Sequence, residues 1–331
     1  MRITENRRKK IFKYAAIVFL IVFLLAAALL ILEFWEKQRS GFPEAETEDP
    51  TVVYNGTEYV PREDIETFLV IGLDKFEDAI DGDDTFINDQ QADFLMLFVF
   101  DNAAQKCTAI QINRDTMAKV NVLGVAGNKV DTVTKQIALS HTYGNGRDLS
   151  CRNTADAVSG LLMGIRVNHY ISFTMDSVVT LNDLAGGVEV TVLDDFTGVD
   201  DTLVKGEAVT LFGEHALTYV RARQGVGDGS NVARMKRQQQ YTGALYHKTQ
   251  RCIEEDDEFI VRATLEMADY IVSDRSVTQL QEIVRKFTEY DFVEIEGIDG
   301  ESKVGEKYME FYPDEDAVKD IVIRLFYKPK A

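Results

Sequence analysis

The longest apolar stretch in this chain runs from Tyr14 to Leu32, 19 residues without a charge. As a helix rising 1.5 Å per residue it spans roughly 28 Å, close to the hydrocarbon thickness of a bilayer. It has no polar face, unlike the surface helix of a soluble domain. Phe34 and Trp35 follow where an interfacial aromatic belt would sit. A cleaved signal peptide is the competing reading, with Ala26-Ala27-Ala28 as its cleavage site. The apolar run continues past those alanines through Leu29–Leu32, which favours an uncleaved transmembrane anchor over 14–35.

The remaining apolar runs are short. Phe68-Leu69-Val70-Ile71-Gly72-Leu73 ends in Asp74 and reads as a buried strand. Phe94 to Phe100 reads as a second, with Cys107 to Ile112 as its hairpin partner across the Asp101-Asn102 turn. The spacing predicts helices near 129–141, 153–164, 175–185, 213–221, 231–252, 260–272, 276–289 and 314–326. Gly186 to Val192 reads as a turn into a strand. Strands mixed with this many helices imply an α/β fold, a layered α-β-α domain around a central mixed sheet.

Charge adds direction to this outline. The formal net charge is −19, yet residues 1–13 carry six basic side chains against Glu5. A basic N-terminal flank keeps that end in the cytoplasm and sends the rest outside. The expected organisation is a cytoplasmic tail at 1–13, the anchor at 14–35, a linker at 36–62 and an extracellular domain at 63–331. Glu44, Glu46, Glu48 and Asp49, between Pro43 and Pro50, give the linker its polar, acidic character. So acidic a domain has no broad basic surface to replace counterions, which excludes general nucleic-acid binding.

Candidate chemistry gathers where predicted strands begin or end, the usual ligand position in α/β sheets. Asp74 closes the first strand, Asp93 opens the second, and Arg114 and Asp115 follow the third. A denser cluster holds Arg221 and Arg223, the glycine-rich loop Gly225 to Gly229 with Asp228, then Arg234, Arg237 and Gln238. Residues 221–237 carry five basic groups against one acid. On a helix beginning near Asn231, Arg234, Arg237, Gln238 and Tyr241 share one face. Arginine offers a rigid fork of donors suited to phosphate oxygens. Separate carboxylates suit a divalent cation whose shell substrate phosphates complete. The alternative is that the arginines only pair with an acidic surface.

These segments, taken in order, resemble the LytR-CpsA-Psr family of bacterial cell-envelope enzymes. The matching stretches are Phe68–Asp74, Gln91 to Leu97, Gln111-Ile112-Asn113-Arg114-Asp115-Thr116, Lys129 to Gly144, Asn168-His169-Tyr170, Leu184 to Val188, Gly213 to Arg223, and the helix start with Arg234, Arg237 and Gln238. The resemblance covers about 65–245. It implies transfer of a glycopolymer, such as a teichoic acid or a capsular polysaccharide, from a polyprenyl-pyrophosphate carrier to peptidoglycan, through a phosphodiester. It implies Mg²⁺ (or Mn²⁺) held by Asp74, Asp93 and Asp115. Catalytic roles fall to Asp93, Arg114, Arg221, Arg223 and Asp228, and substrate binding to Gln91, Arg234, Arg237 and Gln238. A scaffold that binds the lipid-linked polymer without turnover, or a hydrolase of the same lipid, are the alternatives.

The chain departs from the family pattern at Gln91 in place of Arg, Phe94 in place of Thr, Asn113 in place of Pro, Asp131 in place of Asn, and Asn231 in place of Asp. A buried arginine contact to phosphate is worth roughly 1.5–3 kcal/mol, so Gln91 bears on donor affinity. His141, His169, His215 and His247 lack zinc-ligand spacing. Asp78, Asp81, Asp83, Asp84 and Asp89 do not fit a calcium loop and read as a solvated segment. In an oxidising exterior two of Cys107, Cys151 and Cys252 are expected to pair, with Cys151 and Cys252 favoured.

Overall fold

In the first predicted strand both sets of alternating positions are apolar. Leu69, Ile71 and Leu73 are buried on one side, and Phe68 packs on the other. Such a strand has to be covered on both faces. The structure, a computed structural model, describes residues 51–75 and 87–330. The expected anchor at 14–35 and the acids Asp78 to Asp84 lie outside the described residues. Among the described residues no helix is long and apolar enough to cross a membrane.

The strands run β1 (Val52–Tyr54), β2 (Thr57–Pro61), β3 (Ile65–Leu73), β4 (Phe94–Asp101), β5 (Lys106–Ile112), β6 (Met117–Leu123), β7 (Lys129–Gln136), β8 (His169–Thr174), β9 (Val188–Thr191), β10 (Ala208–Leu211), β11 (Ile271–Ser273), β12 (Asp291–Gly297), β13 (Gly300–Val304), β14 (Met309–Pro313) and β15 (Tyr327–Pro329). The helices are α1 (Asp148–Leu161), α2 (Asp176–Leu184), α3 (Glu214–Arg221), α4 (Asn231–Glu255), α5 (Phe259–Glu266), α6 (Val277–Phe287) and α7 (Glu315–Phe326).

Six strands form the central sheet in the order β11-β8-β3-β4-β5-β12. It is mixed: β3 pairs antiparallel with β4 and parallel with β8, and β5 pairs antiparallel with β4 and parallel with β12. On one face Cys151, Ala155 and Val158 of α1 and Val322 and Phe326 of α7 pack with Leu69, Leu97 and Ile110. On the other, Ile283 and Phe287 of α6 meet Phe98 and Phe100. The expected α-β-α layering around a mixed sheet is therefore present. A second core forms where β9, β10, α3 and α4 enclose Phe196, Tyr219 and Tyr241. Gly187 enters β9 at φ +83°, and a Cβ there would lie 2.6 Å from the Phe212 ring, so the turn requires glycine.

Four expectations need correction. The stretch near 129–141 is not a helix: Lys129–Gln136 is strand β7, paired with β6, followed by a 3₁₀ turn at Ile137–Ser140. Val130, Val133 and Ile137 mimic helical spacing, but Val130, Thr132, Val133 and Thr134 are β-branched and suit a strand. The helix expected over 260–272 ends at Glu266, and Ile271–Ser273 becomes an edge strand. The end of the stretch assigned to the linker is folded: β1 and β2 pair, and β2 takes β15 as its second neighbour. Finally, all three cysteines are free. Cys107 and Cys151 lie in different cores on opposite faces of the sheet, and Cys252 sits on α4 with its thiol directed to the Ala185 carbonyl. Burial pushes the Cys151 thiol up to about 12. The region after 250 supplies β11 and β12 to the central sheet, so it belongs to the same domain.

Candidate functional site

Three strand ends meet at one end of the central sheet. Gly72 of β3 pairs with Phe94 of β4, and the Asp93 amide donates to the Gly72 carbonyl at 2.9 Å. Leu95 of β4 pairs with Ile112 of β5. Asp74, Asp93 and the Asn113-Arg114-Asp115 turn therefore leave the sheet at the same end. Gly72 is required at this junction, since a Cβ there would lie 2.8 Å from the Phe94 Cβ.

The second contribution comes from the α3–α4 corner. Arg221 is the last residue of α3, and the loop to α4 uses Gly225, Gly227 and Gly229 at positive φ. The Asp228 carboxylate accepts from the Ser230 amide at 2.8 Å, and Ser230 caps α4 by accepting from Ala233. One turn later Arg234 is buried.

Arg114 is the hub. It pairs with Asp93, lies 3.6 Å from the Asp115 carboxylate, and donates to Gln91 Oε1 at 2.5 Å. Arg221 pairs with Asp74 across the cleft, both well exposed. Burial raises the Asp115 carboxyl above its usual range, and Asp93 adds to this, while Arg114, Arg223 and Arg234 oppose it. Burial, reinforced by Arg114 and Arg223 and opposed by Asp93 and Asp115, lowers Arg234 to about 10. Asp93, Asp115, Arg114, Arg223 and Arg234 are thus one electrostatic unit. The Nε atoms of Arg114 and Arg234 are buried without a hydrogen-bond partner. Unpartnered buried donors are costly, and an oxyanion would satisfy them. Beside this unit lies a polar cavity of about 300 Å³ lined by Asp74, Lys75, Asp89, Gln90, Gln91, Asp93 and Arg114.

Not every predicted site residue turns into this cleft. The Arg237 guanidinium is buried in internal contacts: Nε donates to the Tyr219 carbonyl at 2.9 Å, and the two Nη groups engage Asp194 and the Ala222 carbonyl. Gln238 is buried between Gln111 and the Val220 carbonyl. Both brace the α3–α4 corner. Asp228 is exposed and shapes its loop; its hydrogen bonds from Ser230 hold its carboxyl below the usual range. Asp74, Asp93 and Asp115 are not gathered into a ready-made cage, and among the described residues no three acidic, His or Cys side chains are. Asp74 is drawn aside by Arg221, while Asp93 and Asp115 share Arg114.

Two arrangements were invisible to sequence reasoning. Asn113 and Asn231, two of the departures from the family pattern, touch each other. Asn231 donates to Asn113 Oδ1 at 2.8 Å and accepts from Arg234 at 2.6 Å, while Asn113 Oδ1 also accepts from the Asp115 amide at 2.9 Å. The two asparagines thereby bridge the Asp115 turn to Arg234. Gln136 donates to Asp115 Oδ1 at 3.0 Å from strand β7, which the helical reading obscured. Asp89, grouped by sequence with a solvated loop, lines the cavity.

Solved structures of similar fold share the architecture. B. subtilis TagV superposes with a TM-score of 0.59 at 18% identity, over 80% of this chain and 96% of that one. A structure of TagT bound to LIIa-WTA gives a TM-score of 0.59 at 21% identity, over 85% and 96%. Among curated proteins, the chain is 26% identical over 247 residues to the polyisoprenyl-teichoic acid–peptidoglycan teichoic acid transferase TagU of Enterococcus faecalis, 73% of this chain and 72% of that one. It is 24% identical over 249 residues to the transferase of the same name from Bacillus licheniformis, 75% and 73% respectively. The LytR_cpsA_psr family model matches residues 38–325. With most of its length matched, the chain belongs to the LytR_cpsA_psr family.

Proposed function

We propose that this protein transfers a glycopolymer from a polyprenyl-pyrophosphate carrier to peptidoglycan. The observation that carries the reading is the buried unit of Arg114 and Arg234 with unpartnered Nε donors, next to Asp93 and Asp115 at the strand ends. The relatives named as teichoic acid transferases supply the substrate class.

Arg114 and Arg234 receive the pyrophosphate oxygens, with Arg223 adding field and Arg221 reaching from the rim. A sugar hydroxyl of peptidoglycan attacks the sugar-side phosphorus. The new P–O bond is the phosphodiester, the bridging P–O bond breaks, and polyprenyl phosphate leaves with that electron pair. The hydroxyl proton passes to a carboxylate, Asp115 being the one whose raised affinity for protons suits it. No protein nucleophile is needed, because positioning and charge neutralisation carry most phosphoryl-type transfer. A divalent cation, Mg²⁺ or Mn²⁺, would be held by Asp93 once a donor phosphate draws Arg114 away from it, with substrate oxygens completing its shell, and would neutralise developing charge. The anchor expected at 14–35 would hold this chemistry at the outer face of the cell membrane, where the lipid carrier is.

The test incubates the full chain with a polyprenyl-pyrophosphate oligosaccharide, peptidoglycan fragments and Mg²⁺, and seeks the phosphodiester product by mass spectrometry. Product lost with EDTA and with Arg114→Ala supports the reading. Tight donor binding without product, under conditions where a relative turns over, replaces it with a binding scaffold. Gln91 motivates that second reading, since it orients Arg114 without adding a charge.

A further inference from the structure

Strand β7 is paired on one side only. Its neighbour is β6, and among the described residues no strand lies along its other edge. The Ile137 amide donates to the Thr116 carbonyl at 2.7 Å. Alternation along β7 therefore turns the backbone groups of Asp131, Val133 and Lys135 toward β6, and those of Thr132 and Thr134 outward. Thr132 agrees with this: its amide donates to the Asp131 carboxylate at 2.7 Å rather than to a strand. Asp131, Thr132, Thr134 and Lys135 are exposed. An open edge is a template for another strand unless something defends it. The edges of the central sheet are defended. β11 is 3 residues long, while β12 carries Asp291, Glu294 and Glu296 and a bulge between Phe292 and Glu294. By contrast, β7 keeps its register with β6 from Asp131 to Gln136, is rich in β-branched residues, and carries charges of both signs.

We infer that the outer edge of β7 is the pairing surface for a second copy of this chain, the two β7 strands joining antiparallel about a two-fold axis at Val133. Hydrogen bonding and charge select that axis. The outward backbone groups belong to even-numbered residues, so the axis passes through a residue rather than between two. At Asp131 it sets two carboxylates against each other. At Thr132 it brings each Lys135 toward the partner's Lys129. Like charges directly opposite are destabilising. At Thr134 neither charge gains an opposite, and at Val130 the axis falls on the register shift of the ribbon. At Val133 every position is matched: Asp131 meets the partner's Lys135, Lys135 meets the partner's Asp131, and Thr132 meets the partner's Thr134. The two charge pairs fall at non-hydrogen-bonded positions, where side chains approach most closely. Lys135 is held beside the strand, its ammonium donating to the Tyr143 hydroxyl at 3.0 Å. Pairing gives the Thr132 amide a backbone acceptor and releases the Asp131 carboxylate to the partner's lysine. A segment complementary to itself makes an isologous contact, which closes at the dimer.

The experiment uses the full chain in detergent with Cys252→Ser, which removes the one cysteine that is not buried. Val133→Cys, Thr132→Cys and Thr134→Cys are added singly, and disulfide-linked dimer is followed under mild oxidation. A residue on the axis at a non-hydrogen-bonded position meets its copy at a Cα separation of about 4.5 Å, within disulfide range. Val133→Cys is therefore expected to crosslink about tenfold faster than the other two. Fastest crosslinking at Thr132→Cys or Thr134→Cys, or equal rates at all three, overturns the inference. Sedimentation equilibrium then measures the dimer without crosslinking. Asp131→Lys and Lys135→Asp should each raise its dissociation constant about tenfold, by setting like charges opposite. Asp131→Lys/Lys135→Asp together should restore it, although the Tyr143 contact is lost. A monomer at every concentration, or a dimer indifferent to both reversals, overturns the inference, as does a double swap no tighter than the single ones.

Discussion

Replacing Arg237 separates a substrate contact from a structural brace. The sequence groups Arg237 with Arg234 on one helical face, which makes it a pyrophosphate ligand. In the structure it is 1% exposed and spans Asp194 and the carbonyls of Tyr219 and Ala222, with Phe196 beneath it at 5.3 Å. Arg237→Ala leaves Asp194 without its partner. Loss of one member of a buried pair costs about 3–5 kcal/mol, and the low end applies because the Asp194 side chain is 17% exposed. Two carbonyls also lose a donor, and water entering the vacated volume offsets part of that cost. The total is about 4 kcal/mol, a fall in Tm of roughly 8–16 °C for a domain of this size. Differential scanning calorimetry of the purified chain, with Arg234→Gln alongside, reads the difference. Arg234→Gln is expected to move Tm little and to weaken donor binding measured well below Tm. If Arg237→Lys and Arg237→Ala left Tm unchanged and abolished donor binding, the bracing role would be refuted and Arg237 returned to the ligand set.

Asp115→Asn is expected to abolish most transfer and yet raise Tm at pH 7. The folded carboxyl titrates above its unfolded value, so its ionisation costs stability once pH exceeds the folded pKa, and the gain should vanish as pH falls below the unfolded one. Asn113→Ala and Asn231→Ala should be non-additive in donor affinity, with a coupling of about 0.5–3 kcal/mol in a double-mutant cycle; additivity would dismiss the bridge. Far from the site, Glu66 lies between His169 and Lys286, and His169 also faces Asp274 and Arg275. Hydrogen bonding from His169, aided by Lys286, lowers Glu66 to about 2, so its stabilisation is complete above about 4.5 and lost as pH falls through 2. Burial alone would lower His169, but Asp274 and Glu66 outweigh it and raise its pKa. Its contribution is therefore complete below about 6.5 and lost at higher pH. The unfolding free energy of wild type minus that of Glu66→Gln should peak between about pH 4.5 and 6.5, at no more than about 2 kcal/mol after solvent screening, as read by denaturant titration.

The sheet and most helices were legible because their signals are local. β3 and β4 are apolar on both faces, and α3 and α4 are bounded by Gly213 and by the Gly225–Ser230 loop. Strand β7 was not, because an exposed ribbon pairs through its backbone and leaves its surface pattern weakly constrained. Within the site, residue type announced arginines and carboxylates but not their direction. Helical spacing puts Arg234 and Arg237 on one stripe, yet the packing of α3 against α4 turns one to the cleft and closes the other inside. The Asn113–Asn231 contact joins positions 118 residues apart, and local sequence carries no trace of it.

The ion pairs make a statement about the cation that composition alone cannot. Arg114, Arg221, Arg223 and Arg234 exceed Asp74, Asp93 and Asp115 by one charge. A pyrophosphate diester brings about two negative charges, so its arrival leaves the cleft negative and strips carboxylates of their arginines. The two pairs are not equivalent. Arg221–Asp74 has side chains 53% and 55% exposed, while Arg114–Asp93 is at 18% and 27%. Exposed pairs are worth about 0–1 kcal/mol and open readily; the half-buried pair opens readily only if Asp93 finds another positive partner. Divalent cation should therefore strengthen donor binding itself, before any chemistry. Isothermal titration of a polyprenyl-pyrophosphate analogue is expected to show affinity falling about tenfold when EDTA removes Mg²⁺. Asp93→Asn should lose that dependence, since its arginine is already released, while Asp74→Asn should keep it. Equal cation dependence in wild type and Asp93→Asn would refute the exchange of partners at Arg114.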